Sequence, residues 1–371
     1  MIEKLLSDLV SFKTVNPPGE NYSEISSYLR DLLKEIGFTV EIIEIDDEYV
    51  NRNYIYYPRN KGYKRYIVLA KNDKEPLVHF NAHYDVVPPE EGWLTYPFKL
   101  KIVDDYAYGR GTSDMKGGIV SMYLTLSKAK VPVEISLVPD EESGGIGTKY
   151  LIEKRKVSPK YVIIGEPSFP NIFIGHYGII RGFIKVKGKQ AHASIGGDNA
   201  FLKASKFALE IEKVYGGYIK RKNKRISLNL GGYTINSSDN DGIVPGEFTF
   251  SFYRSISPEE EEVEEEVKKF INDIGRQLNI DFEFSIKSNV PGYKIDEKSE
   301  LVKIAEECVK RAISINPAKL VSQIRYDAVF FMTQVINIGP GEEAHNPNEK
   351  VNIKNVRKVS EIYDCILNAL K

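Results

Sequence analysis

The sequence predicts an α/β protein interrupted by an inserted antiparallel α+β domain. Three observations lead there. Up to about residue 165, short apolar runs of strand length alternate with segments of helical period; from about Ile172 to Val290 the runs lengthen and only two helical stretches occur; beyond that the strand-helix alternation resumes. At 371 residues, 42% hydrophobic and 11% aromatic, the chain is long enough to bury a sizeable core and to form two domains.

The elements follow in order. Ile2, Leu5, Leu6 and Leu9 recur at helical spacing, as do Tyr28, Leu29, Leu32, Leu33 and Ile36, and Gly37 is placed to stop the second helix. Tyr66 to Ala70, Pro76 to His83, Val133 to Val138 and Tyr161 to Gly165 read as strands, with Ile119 to Lys128 as a helix among them. In the middle region, strands are expected at Ile172 to Val186, Ile226 to Thr234, Glu247 to Arg254 and Asp281 to Val290, with helices at Asn199 to Lys213 and Pro258 to Leu278. Val335 to Gly339 is a further strand that runs into a glycine-rich loop. The division is residues 1–175 and 292–371 for the first domain, and 176–291 for the insert. In the acidic stretch Pro258 to Val267, Val263, Val267, Phe270, Ile271 and Ile274 share one helical face. The acids then fit the first turn of a solvated amphipathic helix whose dipole favours them.

Charge excludes several partners. Lys and Arg total 51 against 52 Asp and Glu, so there is no net field to draw the protein to nucleic acid or to an anionic membrane, and a small-molecule substrate is expected. Cys308 and Cys365 lie far apart in apolar helical patterns and are expected to be buried free thiols, which suits a reducing compartment. The N-terminal Met1 to Asp8 carries acids where a secretory leader needs an apolar segment, and no long apolar run occurs elsewhere. A cytoplasmic protein is the expectation.

The chemistry-bearing residues gather at the ends of the expected strands. His83 ends one of them, and Asp85 follows two residues later; a histidine there suits a metal, and a neighbouring carboxylate can accept its other ring N–H. His79, inside the same strand, reads as a satisfied core or lining histidine. Asp114 sits among glycines in Gly109 to Gly118, where it serves either as a helix cap or as a bridging carboxylate. Asp140, Glu141 and Glu142 follow a third strand, Glu166 a fourth, and His345 lies in Gly341 to Glu349 beyond a fifth. Histidines and carboxylates mixed in this way form the N/O donor set of a pair of zinc-like ions.

His83-Tyr84-Asp85-Val86-Val87, Gly109 to Gly118, Asp140-Glu141-Glu142, Gly165-Glu166-Pro167 and His345-Asn346-Pro347-Asn348-Glu349 occur in the order and spacing of one family. The chain resembles the zinc amidohydrolases that include aminoacylase, acetylornithine deacetylase, succinyl-diaminopimelate desuccinylase and bacterial glutamate carboxypeptidase. The likeness runs from Val15-Asn16-Pro17-Pro18-Gly19 to His345. It implies a mixed-sheet zinc-hydrolase catalytic domain with a ferredoxin-like insert, and a homodimer formed through that insert.

Carried over by motif, the resemblance implies that His83, Asp114 and Glu166 hold one divalent ion, and that Asp114, Glu142 and His345 hold the other. Zinc is expected and cobalt is the variant. Asp85 would orient His83, and Glu141 would be the general base for a water on the metals, returning the proton to the leaving amine. His192, in Lys187 to Ser194, resembles the family histidine that reaches into the partner's site, where it would stabilise the oxyanion. Arg254 is in place for a substrate carboxylate clamp, with a surface ion pair as the alternative. The implied reaction is hydrolysis of an N-acyl amino acid of the acetylornithine or succinyl-diaminopimelate kind. A metallocarboxypeptidase or dipeptidase on the same scaffold is the second reading, and a non-catalytic ligand-binding relative the third. Two departures bear on specificity: His176 to Gly182 carries one arginine where desuccinylases often have a pair, and Ser322 to Ala328 stands where many members have a Gly-Thr-x-Asp loop.

Overall fold

The computed structural model describes residues 1–155 and 157–370. The chain divides into two compact units, one formed by Met1–Gly175, Lys294–Val321 and Tyr326–Lys371, the other by His176–Tyr293 and Ser322–Arg325.

The first unit is built on a mixed sheet. Thr39–Ile45, Arg65–Lys71, Val133–Val138, Val78–His83, Tyr161–Ile164 and Gln334–Asn337 lie side by side in that order. The last four run parallel, with His83 opposite Val138, Asn81 opposite Ile164, and Ile164 opposite Asn337. Their carboxyl ends therefore finish level with one another. Val78–His83, Val133–Val138 and Tyr161–Ile164 are buried along their whole lengths, the mark of parallel strands covered on both faces.

Neighbouring side chains on a strand point to opposite faces, and the core follows that rule. Val68 and Ala70 join the large cluster packed by the helices Ile2–Ser11, Tyr22–Glu35, Gly117–Leu126, Glu300–Ile313 and Ile353–Ala369. Ile67 and Leu69, which alternate with them, pack in a smaller cluster with Tyr49, Ile146 and Leu151 on the other side. Gly37, at φ +89°, ends the second helix in the left-handed region that glycine tolerates.

The expectation of free thiols is corrected. Cys308 and Cys365 form a disulfide, with Cα atoms 5.7 Å apart. The apolar periodicity of both helices was read correctly, but it cannot reveal that the helices lie side by side with the two cysteines facing each other. The compartment argument drawn from free thiols falls with it.

The second unit is a four-stranded antiparallel sheet in the order Leu228–Asn236, Glu247–Ile256, Gly178–Lys187, Phe282–Val290. The helices Ala200–Ile211 and Val263–Leu278 fall between its first and second and its third and fourth strands in chain order, which is the ferredoxin-like β-α-β-β-α-β arrangement. Two local readings are revised. The strand expected from Ile172 to Val186 breaks at Tyr177, and the acidic helix starts at Val263 rather than Pro258. Its preceding acids are not all solvated: Glu260 accepts from Arg254 Nη2 at 2.7 Å.

Candidate metal centre

The level ends of the parallel strands bring five predicted residues together. His83 closes its strand, and its Nε2 lies 2.9 Å from Asp114 Oδ1 and 3.4 Å from Glu166 Oε1. His345 Nε2 lies 3.3 Å from Asp114 Oδ2 and 3.0 Å from Glu142 Oε1. Within each triad one ligand atom per residue lies within 4.8 Å of the others, and Asp114 belongs to both. Asp114 is not the cap of the helix Gly117–Leu126: no side chain caps that helix, and the Asp114 carboxylate is turned to the two histidines.

Electrostatics decides whether a cation fits. Three carboxylates and two imidazoles share this space, and each resists the change of charge that burial imposes. Burial disfavours a charged His83, yet Glu166, Asp114 and Asp85 outweigh it and hold its pKa well above the usual histidine range. Hydrogen bonds that its ring donates to Asp114 and Glu142 push His345 up to about 11. Burial and the Asp114 charge push Glu166 up to about 8, against the pull of His83. Burial also resists ionisation of Asp114, but the two histidines overcome it and hold Asp114 low. The cluster thus draws positive charge to itself, and two nitrogens with three carboxylates, one of them shared by both triads, are the donor chemistry of metal ions.

Each ligand is held from behind. His83 Nδ1 lies 2.9 Å from the Asp85 main-chain oxygen and 3.5 Å from its carboxylate, so the closer orienting partner is the backbone. The Asp85 carboxylate instead accepts from the backbone N–H groups of Glu141 and Glu142, both at 3.2 Å. Glu166 is clasped by Asn337, whose Oδ1 accepts from the Glu166 N–H at 2.7 Å and whose Nδ2 donates to the Glu166 carbonyl at 3.1 Å. Glu141 and Glu142 share the single turn Glu141–Ser143, entered through Asp140 at φ +63°. Asp140 itself is fully buried and bonded to Arg65 Nε at 2.8 Å and Tyr22 Oη at 2.9 Å, so it anchors the turn that carries Glu141 and Glu142.

Sequence reading gave no role to Glu349. It is buried and accepts from Arg110 Nη1 at 2.8 Å and from the N–H groups of Gly111, Ser113 and Asp114 at 3.0, 2.8 and 3.0 Å. It therefore fixes the loop that carries the shared ligand. Its place in the same short motif as His345 was the available signal.

A sequence model described as peptidase family M20/M25/M40 matches residues 79–369. The chain belongs to that family. Family membership makes it a metal-dependent hydrolase acting on amide bonds. The chain is similar to a succinyl-diaminopimelate desuccinylase of Nautilia profundicola, 26% identical over 387 residues, 98% of each chain. It is similar also to an uncharacterised metallohydrolase of Methanocaldococcus jannaschii, 30% identical over 420 residues, again 98% of each. Among solved structures, an M20 family metallo-carboxypeptidase from Sulfolobus solfataricus aligns with a TM-score of 0.78 at 17% identity, over 100% of this chain and 99% of that one. Human carnosine dipeptidase 1 aligns at 0.75 and 17%, over 100% and 96%. At such identities the structural likeness speaks for the fold.

Two predicted site residues of this M20 chain lie in the second unit. His192 is exposed on the short strand Ala191–His192, its Nδ1 accepting from the Ser194 N–H at 3.2 Å. Arg254 corrects the sequence reading. Its side chain is fully buried, with Nη2 at 2.7 Å from Glu260 and 3.3 Å from Glu266, so its charge is matched within its own unit and it is not presented as a substrate clamp. The ion pair was the stated alternative, and its partners come from the acidic run that sequence assigned to solvent. His79 is the satisfied core histidine expected, bonded to Glu134 at 2.8 Å and Ser136 at 2.7 Å.

Proposed function

We propose that the chain is a dinuclear amidohydrolase that removes the acyl group from an N-acyl amino acid of the succinyl-diaminopimelate or acetylornithine kind. The observation that carries this reading is the sharing of Asp114 between two triads, with Glu141 adjacent to the ligand Glu142 in one turn. The acyl class is supported by desuccinylases that match the chain end to end.

Two divalent ions, zinc expected and cobalt the variant, held by His83, Asp114 and Glu166 and by Asp114, Glu142 and His345, would polarise the scissile carbonyl and make water nucleophilic at neutral pH. Glu141 takes the proton of the attacking water and returns it to the leaving nitrogen, giving a free amine and a carboxylate. Asp85 keeps Glu141 beside Glu142 by accepting from both backbones, and keeps His83 in register through its own carbonyl. His192 of a partner subunit supplies the hydrogen bond to the developing oxyanion.

A homodimer through the second unit is part of this reading. Its support is an edge strand, Leu228–Asn236, with Tyr233 and Ile235 exposed, and a helix, Ala200–Ile211, with Phe201, Leu202 and Leu209 exposed. Among the described residues no helix is long and apolar enough to cross a membrane.

The test is a substrate panel on purified enzyme, with metal quantified on the same preparation. Acetylornithine, succinyl-diaminopimelate, other acyl amino acids and dipeptides are compared by kcat/KM. Turnover of an acyl amino acid with about two metals per chain is expected. Activity on peptides alone selects the metallocarboxypeptidase or dipeptidase reading, and binding without turnover selects the non-catalytic one.

A further inference from the structure

Outside the five ligands and Glu141, the site is bounded by two walls of chain. One is the strand end His83 to Val86, and the other is the turn Asp140 to Ser143. The two walls come from different strands, yet the reading of Glu142 as a ligand and Glu141 as a base requires them to hold a fixed spacing to His83. One buried side chain outside both walls hydrogen-bonds to each. Asn16 is buried, and its Nδ2 lies 2.9 Å from Asp85 Oδ2, 3.0 Å from Asp140 Oδ1 and 2.6 Å from Ser143 Oγ.

Asn16 is itself held at both ends. Its Oδ1 accepts from Tyr54 Oη at 2.6 Å. Its N–H donates to the Val86 carbonyl at 2.9 Å, Val86 N–H donates back to Thr14 at 2.9 Å, and Val15 bridges Val86 as a short parallel pair. The segment before the prolines thus lies against the wall that carries His83. The second wall is braced by Arg65, which donates to Asp140 Oδ2 at 2.8 Å and to the Pro18 carbonyl at 2.6 Å, with the Tyr54 ring 4.9 Å from its guanidinium. Gly19, at φ +104°, leaves the space that this guanidinium fills; a Cβ there would meet it at 2.8 Å.

We propose that Asn16 is a positioning residue whose amide group clamps Asp85 to the Asp140–Ser143 turn, and so sets the base Glu141 and the ligand Glu142 against His83. The inference rests on the roles given to Glu141 and Glu142 above. Two buried carboxylates, Asp85 and Asp140, both need donors, and a neutral amide gives N–H groups to each without adding a charge beside the metals. Other side chains branched at Cγ in this way do not: ionised aspartate offers acceptors but no donors, and leucine offers no polar group.

The test compares Asn16→Asp, Asn16→Ala and Tyr54→Phe with the wild-type full-length protein, using zinc affinity by chelator competition, kcat and KM separately, and Tm. Side chains that hold a metal's ligands in place are worth about 10–100-fold in affinity or activity. Asn16→Ala should lower zinc affinity or kcat by about that range, with KM within about threefold, because the clamp sets the reacting groups and not the substrate pocket. Asn16→Asp, which keeps the volume but removes the donors, should fall at least as far. Tyr54→Phe leaves the clamp and removes only its brace, so it should fall less, and it keeps the question open to measurement should either Asn16 variant fail to fold. Ile366→Ala, on the buried face of the last helix, should lower Tm while leaving kcat and zinc affinity unchanged. Wild-type zinc affinity and kcat in Asn16→Asp would overturn the clamp. The zinc measurement needs no turnover, so a failure of the base assignment, seen as an active Glu141→Gln, is distinguished from a failure of the clamp.

Discussion

The two halves of the metal centre are built differently. His83 and Glu166 sit at strand ends, buried, and their backbones belong to or directly follow the sheet. Glu142 and His345 sit on a turn and a loop, and the His345 side chain is 45% exposed. Parallel strands fix one half through the register that joins them; the other half depends on side chains such as Asp85, Asn16 and Glu349 to hold its loops. The first half should bind its ion tightly and the second loosely, with Asp114 tying the two together.

Removing the tie is the largest break. Asp114→Ala should abolish the binding of both ions at micromolar zinc and lower kcat/KM by on the order of 10³-fold or more, several kcal/mol of lost stabilisation. Retention of one tightly bound ion, measured by metal analysis after dialysis, would show that the halves are independent. Single-ligand variants should expose the asymmetry next. Chelator should strip one ion before the other, and His345→Ala should lose only the first-released ion, while His83→Ala should lose the one that leaves last. The reverse order would contradict the assignment of rigidity to the strand ends.

The pH dependence follows in size. At pH 7 the raised pKa values of His83, His345 and Glu166 mean that all three carry protons which an incoming ion must displace. Proton-bearing ligands compete with metal, so affinity should rise with pH between 6 and 8 and fall on acidification. Titration with zinc in two buffers of different ionisation enthalpy should report net proton release, and a release of zero would contradict the charge balance described. Glu349→Gln should follow, at about 10-fold in activity, because it weakens the hold on the Asp114 loop without removing a ligand. The smallest effect on chemistry belongs to the disulfide. It closes a loop of 57 residues, worth about 4 kcal/mol in the chain-entropy account. Cys308→Ser or a reductant should therefore lower Tm and leave kcat at moderate temperature unchanged.

Much of this arrangement was legible in the chain. The ligands and Glu141 lie at predicted strand ends, where periodicity and residue type coincide, and the change of texture near Ile172 announced the second sheet. What stayed hidden was pairing across the sequence. Asn16 reaches Asp140 over 124 residues, and Arg254 finds Glu260 only after the strand and the turn have folded. Cys308 and Cys365 were misread for the same reason. Helical period says which face is apolar but not which helix lies opposite, and an arginine near a strand end carries no mark of whether its partner is substrate or protein. Asp85 was expected to orient His83, yet the nearer acceptor is its main-chain oxygen, and its carboxylate accepts from Glu141 and Glu142.

The central claim is that Glu141 moves the proton while its neighbours hold the metals. Glu141→Gln tests it most directly, since the amide keeps the shape and removes the base. Metal content should equal that of the wild type, and kcat should fall by about 10²–10⁴-fold on the best substrate of the panel. Turnover within a few-fold of wild type, with both ions in place, would mean that another group takes the proton.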